Sequence, residues 1–157
     1  MVDVTSKPVT TRVAIATGSV SMDNATAGVI RGGTAQKGDV LSIARIAAIQ
    51  STKLTQQLIP LCHAIPIEAV SVRFDWPETN LLRCLVEVRT TAKTGVEMEA
   101  MTAVSVACLT VYDMVKSIDR GMTIGPLQLE QKSGGSSGLY QRADFDGSGD
   151  TPLTGES

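Results

Sequence analysis

The sequence predicts an α+β domain in which helices cover one face of an antiparallel sheet, and three patterns carry that expectation. Val70, Val72, Phe74 and Trp76 alternate, as do Leu82, Cys84, Val86 and Val88, which describes two half-buried strands joined across residues 77–80 as a hairpin. Met101, Val104, Cys108, Val111, Val115 and Ile118 recur at steps of three and four, the single apolar stripe of a helix. A second long helix is expected from near Asp39, just after Gly38, to about Leu58, where Pro60 forbids its continuation.

The remaining elements fill in around these. A strand is expected over residues 12–20, a short helix over 22–31, and a last strand over 123–132, with Leu127 and Leu129 on one face. Thr94 and Glu97 have the T-x-x-E spacing of a capping box at the start of the striped helix, and Gly121 follows its end. Gly, Ser, Thr and Asp dominate after Arg142, so residues 1–142 read as a single catalytic domain and 143–157 as a flexible acidic tail. Asp144, Asp146 and Asp150 superficially suggest a calcium loop. The glycine offset is wrong, however, and Gly155 stands where the closing glutamate belongs, so no metal site is assigned.

A chain of 157 residues fits one core, since at that length folding buries roughly two-thirds of the surface of the unfolded chain. Aromatics are only 3% of the residues, so Ala, Val, Ile and Leu must fill that core. The net charge of -2 gives no long-range attraction for nucleic acid or an anionic membrane, and neither is expected as a partner. No stretch reads as the run of about 20 apolar residues that a membrane span needs, and Met1-Val2-Asp3-Val4 lacks the features of a signal peptide. A cytoplasmic chain is expected. Cys62, Cys84 and Cys108 are too few and too scattered for a disulfide framework or a metal knuckle, and read as reduced, mostly buried thiols.

Ionisable side chains gather at Lys37-Gly38-Asp39, Cys62-His63, 94–99 and 112–116, and each admits two readings. Lys37 and Asp39 suit a helix start as well as a site. His63, the only histidine, suits a hydrogen-bonded structural role as well as proton transfer. Glu97 is either the capping-box partner or a ligand contact. Asp113 and Lys116, three apart on a helix, are either a solvated ion pair or a working pair. Lys116 lies close in angle to Val111 and Val115, so partial desolvation is expected to make it an acid or base with Asp113 tuning it. Lys132 precedes Ser133-Gly134-Gly135-Ser136-Ser137-Gly138, whose backbone N–H groups could cradle phosphate, although the P-loop pattern is absent.

The segments Lys37-Gly38-Asp39-Val40-Leu41, Ala44-Arg45-Ile46-Ala47, Leu58-Ile59-Pro60-Leu61-Cys62-His63, Thr94-Gly95-Val96-Glu97-Met98-Glu99-Ala100, Thr110-Val111-Tyr112-Asp113-Met114 and Lys132-Ser133-Gly134-Gly135 stand in one order. In that order and spacing they resemble the cyclic pyranopterin monophosphate synthase family, also called molybdenum cofactor biosynthesis protein C or MoaC. The resemblance runs from Val2 to about Gly138.

It implies a ferredoxin-like subunit in a homohexamer, a trimer of dimers, with sites at subunit interfaces. It also implies a small-molecule substrate, a 3′,8-cyclised dihydro-GTP, rearranged to cyclic pyranopterin monophosphate with release of diphosphate. That is a lyase reaction requiring no cofactor, with Mg2+ only as an optional companion of the triphosphate. By the resemblance, Lys37 and Lys116 match the catalytic lysines. They are assigned as acid or base, with Asp113 orienting Lys116 and His63 sharing the proton traffic. Leu61, Cys62, His63, Glu97, Met98 and Glu99 contact substrate on this reading, the two glutamates holding the base-like ring, while Arg12, Lys132 and the glycine-rich loop hold phosphates.

Ala64, Val115 and Ser136 depart from the family pattern, where proline, cysteine and lysine are common. The last removes a cation from the proposed phosphate loop. A non-catalytic ligand-binding domain on the same fold is the main rival, since fold does not fix function. A purely structural oligomer would also explain the Ala- and Val-rich helices. An RNA-binding domain would need sheet aromatics and a basic surface, which this composition lacks.

Overall fold

The structure is a computed structural model, and it describes residues 1–145. Its elements are β1 (Thr10–Ser21), α1 (Asn24–Arg31), α2 (Val40–Thr52), α3 (Thr55–Leu58), β2 (Ala69–Glu78), β3 (Leu81–Ala92), α4 (Glu97–Val115), β4 (Thr123–Ser133) and β5 (Tyr140–Gln141). The strands form one antiparallel sheet in the order β2-β3-β1-β4-β5. With the helices packed against it, this is the ferredoxin-like α+β arrangement.

Alternation explains the pairing. Ala14, Ala16, Gly18 and Val20 of β1 lie opposite Val88, Val86, Cys84 and Leu82 of β3, so one face of the central strands is continuously apolar. α4 covers that face with Ala100, Ala103, Val104, Ala107, Cys108 and Val111, all buried. The contact is close because the facing residues are small. A side chain on Gly18 would come within 2.6 Å of Leu127 Cδ2 and 3.0 Å of Cys108 Sγ. Each fully buried valine in this layer contributes about 1.5–3 kcal/mol. The hairpin turns at Thr79 and Asn80, with Glu78 opposite Leu81.

Several expectations are corrected. The helix foreseen over residues 39–58 breaks after Thr52, and α3 starts afresh at Thr55. Ser51 Oγ donates to Ala48 O (2.8 Å), Thr52 Oγ1 to Ile49 O (2.8 Å), and Thr55 Oγ1 to the carbonyls of Ser51 and Thr52. These hydroxyls compete for helix carbonyls while Lys53 and Leu54 fall into i→i−3 backbone bonds, which ends the α-helix.

The Thr94–Glu97 capping box does not form. The N-cap is Val96, without a side-chain cap bond, and Glu97 is already the first helical residue. The apolar stripe stops at Val115, leaving Ile118 exposed beyond the helix end, and Gly121 donates to Asp119 Oδ1 (2.8 Å) rather than closing α4. β5 was not foreseen.

α4, at 19 residues and mean hydropathy 1.3, is the one described helix long and apolar enough to cross a membrane, where the sequence reading expected none. Its apolar face packs on the sheet. Asp144 and Phe145 line a cavity over the open sheet face beside Arg142 and Glu130, so the expected tail begins against the domain. Residues 146–157, with Asp146, Asp150 and Gly155, lie outside the described residues. Cys84 and Cys108 are buried free thiols and Cys62 is half-buried. Burial raises the Cys108 thiol to about 12 and raises that of Cys84 as well.

Candidate active site

The first turn of α4 and the loop before β2 enclose one cluster. Leu61, Cys62, His63, Glu97, Met98 and Glu99 line a cavity of about 310 Å³ whose other wall is Val2, Val4 and Lys7. Because α4 starts at Glu97, Glu99 lies two residues into its first turn and points inward, only 3% exposed. Burial raises its carboxyl, and the charge of Glu97 adds to the rise. The Glu97 carboxylate folds back over Gly95, at which a side chain would collide with it. Burial also raises the Cys62 thiol, with Glu99 contributing.

His63 Nε2 is 2.8 Å from Val2 O, and Lys93 Nζ donates to Thr5 O at 2.8 Å. These contacts pin the first residues across the cavity mouth as a strap. A second cavity, of about 280 Å³, lies on the other side of His63, Ile65 and Glu99 and includes Lys53 and Gln56.

Beside this end of the molecule, Arg12 and the glycine-rich loop interlock. Arg12 is 7% exposed and donates from Nε to Ala92 O (3.3 Å) and from Nη2 to Lys93 O (3.1 Å). Gly134 and Gly135 have φ of +98° and +70°, and a side chain on Gly135 would strike the Arg12 guanidinium. Lys132 Nζ donates to Ser137 Oγ within the same loop. The structure therefore brings Arg12, Lys132 and the loop together.

The second cluster lies at the other end of α4. Gly38, with φ of +99°, turns the α1–α2 connection so that Lys37 reaches α4. Lys37 Nζ donates to Asp113 Oδ2 (2.7 Å) and Asp113 O (3.0 Å), and Lys116 Nζ is 2.5 Å from Asp113 Oδ1. Hydrogen bonds from Lys116 and Lys37 hold the Asp113 carboxyl down to about 2. Asp39 is a helix cap, accepting from Ser42 N at 3.0 Å and Ser42 Oγ at 2.7 Å, and those bonds lower its carboxyl.

The desolvation expected for Lys116 is absent in the single chain. Lys116 is the C-cap of α4, past the last turn of the stripe, and its side chain is 53% exposed. Nor does one chain unite all the expected residues. Asp113 lies fourteen residues along the helix from Glu99, roughly 21 Å at about 1.5 Å per residue. His63 therefore cannot share protons with Lys37 and Lys116 inside one subunit. Val2, Val4, Lys7 and Lys53, which the residue reading did not place at the site, line the two cavities. Val2, Val4 and Lys7 lie in the segment before β1 and carry no motif signal, whereas Lys53 closes the family-like segment 48–53 and caps α2.

Fold and geometry together define an α+β chain with carboxylates clustered at one end of α4 and lysines at the other. A profile described as the MoaC family matches residues 1–135, and the chain belongs to that family. It is 53% identical to a cyclic pyranopterin monophosphate synthase of Rhodopirellula baltica over 152 residues, covering 90% of this chain and 87% of the relative. The relative named cyclic pyranopterin monophosphate synthase 3 in Mycobacterium tuberculosis H37Rv is 53% identical, covering 93% and 82%. The synthase of Brevibacillus brevis is 48% identical, covering 92% and 90%. The chain is accordingly an enzyme with a small-molecule substrate.

Proposed function

We propose that the chain is a cyclic pyranopterin monophosphate synthase acting in molybdenum cofactor biosynthesis. It converts (8S)-3′,8-cyclo-7,8-dihydroguanosine 5′-triphosphate to cyclic pyranopterin monophosphate and diphosphate, as a lyase of the phosphorus–oxygen class. The observation that carries this reading is the placement of the family's motif residues at two chemically distinct ends of α4, one suited to ring N–H donors and one to anionic oxygens.

Glu99 and Glu97 accept from the guanine-like ring, and a donor-rich ligand relieves the cost of the buried Glu99 charge. Arg12, Lys132 and the Gly134–Gly135 backbone take the phosphates. Asp113 stays charged at neutral pH and orients two ammonium groups, leaving one net positive charge at that end. Lys37 and Lys116 exchange protons with the reacting ring, and His63 adds a further proton carrier in the assembled site. A substrate hydroxyl attacks the α-phosphorus, its proton passes to a basic group, and the bond to the departing diphosphate breaks. Rearrangement and elimination need no redox cofactor, and Mg2+ is assigned to the triphosphate rather than to the chain.

The 21 Å gap is bridged if one subunit supplies the N-terminal end of α4 and a neighbour the C-terminal end, within a homohexamer built as a trimer of dimers. Exposed Ile43, Ile46, Leu58, Leu61 and Leu109 give the helical side of the chain apolar surface for such contacts. A nucleotide-derived substrate suits a cytoplasmic enzyme. The test is turnover of the cyclised dihydro-GTP, following diphosphate and pterin product together, with wild type beside Lys116→Ala. Wild type is expected to form both products and the variant neither. Folded wild-type protein that binds the substrate and releases nothing would leave the non-catalytic binding reading in its place.

A further inference from the structure

We infer that Glu130 is a positioning residue for the phosphate end of the site: it forms the β-bulge that turns Lys132 onto the sheet face shared with Arg12, an inference that rests on the function proposed above. Between β1 and β4, Leu129 pairs with Ala16 and Gln131 with Ile15, so Glu130 has no residue across from it and is the extra residue of a bulge. The bulge changes the phase of the strand. Leu127 and Leu129 lie opposite Gly18 and Ala16 on the face that α4 covers, and strict alternation from there would put Gln131 on that face and Lys132 on the other. With Glu130 inserted, Lys132 lies opposite Ala14 instead, two residues along β1 from Arg12 and on the same face. There its ammonium donates to Ser137 Oγ, inside the loop whose Gly135 abuts the Arg12 guanidinium.

The side chain of Glu130 locks the bulge from the opposite face of the sheet. It is 4% exposed, beneath a cavity of about 260 Å³. One carboxylate oxygen accepts from Thr17 Oγ1 and from Gln128 Nε2 (3.0 Å), and the other is 3.3 Å from Arg142 Nε. The Glu130 carbonyl accepts from Arg142 N at 2.8 Å, and Arg142 Nε donates to Leu129 O at 3.2 Å, so the chain after β5 is stapled to the bulge. A charge this deep is costly unless it is paired and hydrogen-bonded. Here its partners come from β1, β4 and the far flank of the glycine-rich loop, the three segments whose register decides where Lys132 points. Glu130 acts on the site through Lys132 and touches no phosphate itself.

The test uses the full-length protein and two readouts, turnover of the cyclised dihydro-GTP and calorimetric titration with inorganic diphosphate. Glu130→Val keeps the residue count, removes the carboxylate and favours a regular strand, which swings Lys132 to the opposite face. It should raise KM about tenfold with kcat within about twofold, and weaken diphosphate binding about tenfold. Deletion of Glu130 removes the same carboxylate, yet Gln131 then follows Leu129 in regular register and Lys132 stays opposite Ala14. It should hold KM and diphosphate affinity within about threefold of wild type. The exchange of Gln131→Lys with Lys132→Gln leaves the Glu130 network intact and tests the phase without touching a buried group. In the wild-type strand it should cost as much as Lys132→Met, and in the Glu130→Val strand it should restore binding to within about threefold. A deletion as harmful as Glu130→Val overturns the inference and leaves Glu130 a merely structural residue, as does an exchange that costs nothing in the wild-type strand. Wild type that binds diphosphate but does not turn over the cyclised substrate defeats the functional reading, and the diphosphate titrations then decide the role of the bulge; normal turnover with a KM unmoved by Glu130→Val defeats this inference alone.

Discussion

The two ends of α4 treat their carboxylates in opposite ways. Glu99 is shut away from water and burial raises its carboxyl, while Asp113 stands in solvent between two lysines and is held down to about 2. Both shifts run against the helix dipole, which favours negative charge at the N-terminal end by about 0.3–1 kcal/mol and disfavours it at the other. Burial in one case and direct ion pairing in the other outweigh it. On the function proposed, one end is therefore a receptor for donors, and the other is a charged clamp already formed in the single chain.

The sharpest way to break this contrast is to neutralise the clamp. Asp113→Asn should lower turnover by about 10²- to 10⁴-fold with little change in melting temperature, because the pair lies in solvent and exposed ion pairs stabilise weakly. Next in size is the outcome of mixing subunits. Glu99→Gln and Lys116→Ala chains, each inactive alone, should regain about a quarter of wild-type turnover after denaturation and co-refolding at equal amounts, because random pairing restores one site in four. Recovery of nothing would place both ends of one chain in separate tasks.

Gly135→Ala probes the wall beside the receptor. A φ of +70° and a collision with Arg12 should cost about 1–3 kcal/mol and raise KM about tenfold, with kcat held within about twofold. The smallest effect is on stability and follows from the pH dependence. A carboxyl raised by folding costs stability once the pH exceeds the raised value, and costs nothing below its ordinary value of 4.5. Glu99→Gln should therefore raise Tm by about 2–4 °C near pH 8, and the gain should vanish near pH 4. Asp113 behaves in the reverse sense. Its contribution is present above its ordinary 3.8 and lost as pH falls toward 2, so acid titration of Asp113→Asn should show a flatter decline than wild type in that window.

Strands and stripes were legible in the sequence because their signal is periodic and their burial one-sided. Val70 to Trp76 and Leu82 to Val88 alternate because one face meets α4 and α2 and the other does not. The break in α2 was hidden, since hydroxyl competition for carbonyls has no period and Ser51, Thr52 and Thr55 resemble ordinary helix residues. Thr94 and Glu97 misled for a related reason. Their spacing permits a cap, but burial of Glu99 and the fold-back of Glu97 over Gly95 use the same residues for a cleft. The site residues themselves were recognisable as motifs. What motif order did not convey is distance: the words holding Glu99 and Asp113 are neighbours in the family pattern yet lie at opposite ends of a 19-residue helix.

The interruption between α2 and α3 has one more consequence, for which substitutions the chain can tolerate. Ser51, Thr52 and Thr55 are small, carry no charge and touch no proposed substrate atom, so they look freely replaceable. Alanine at all three would return the carbonyls of residues 48–52 to the backbone and favour one straight rod through Leu58. The loop carrying Leu61, Cys62 and His63 would then leave the rod on a different heading. Three of the plainest side chains in the molecule act as its compass.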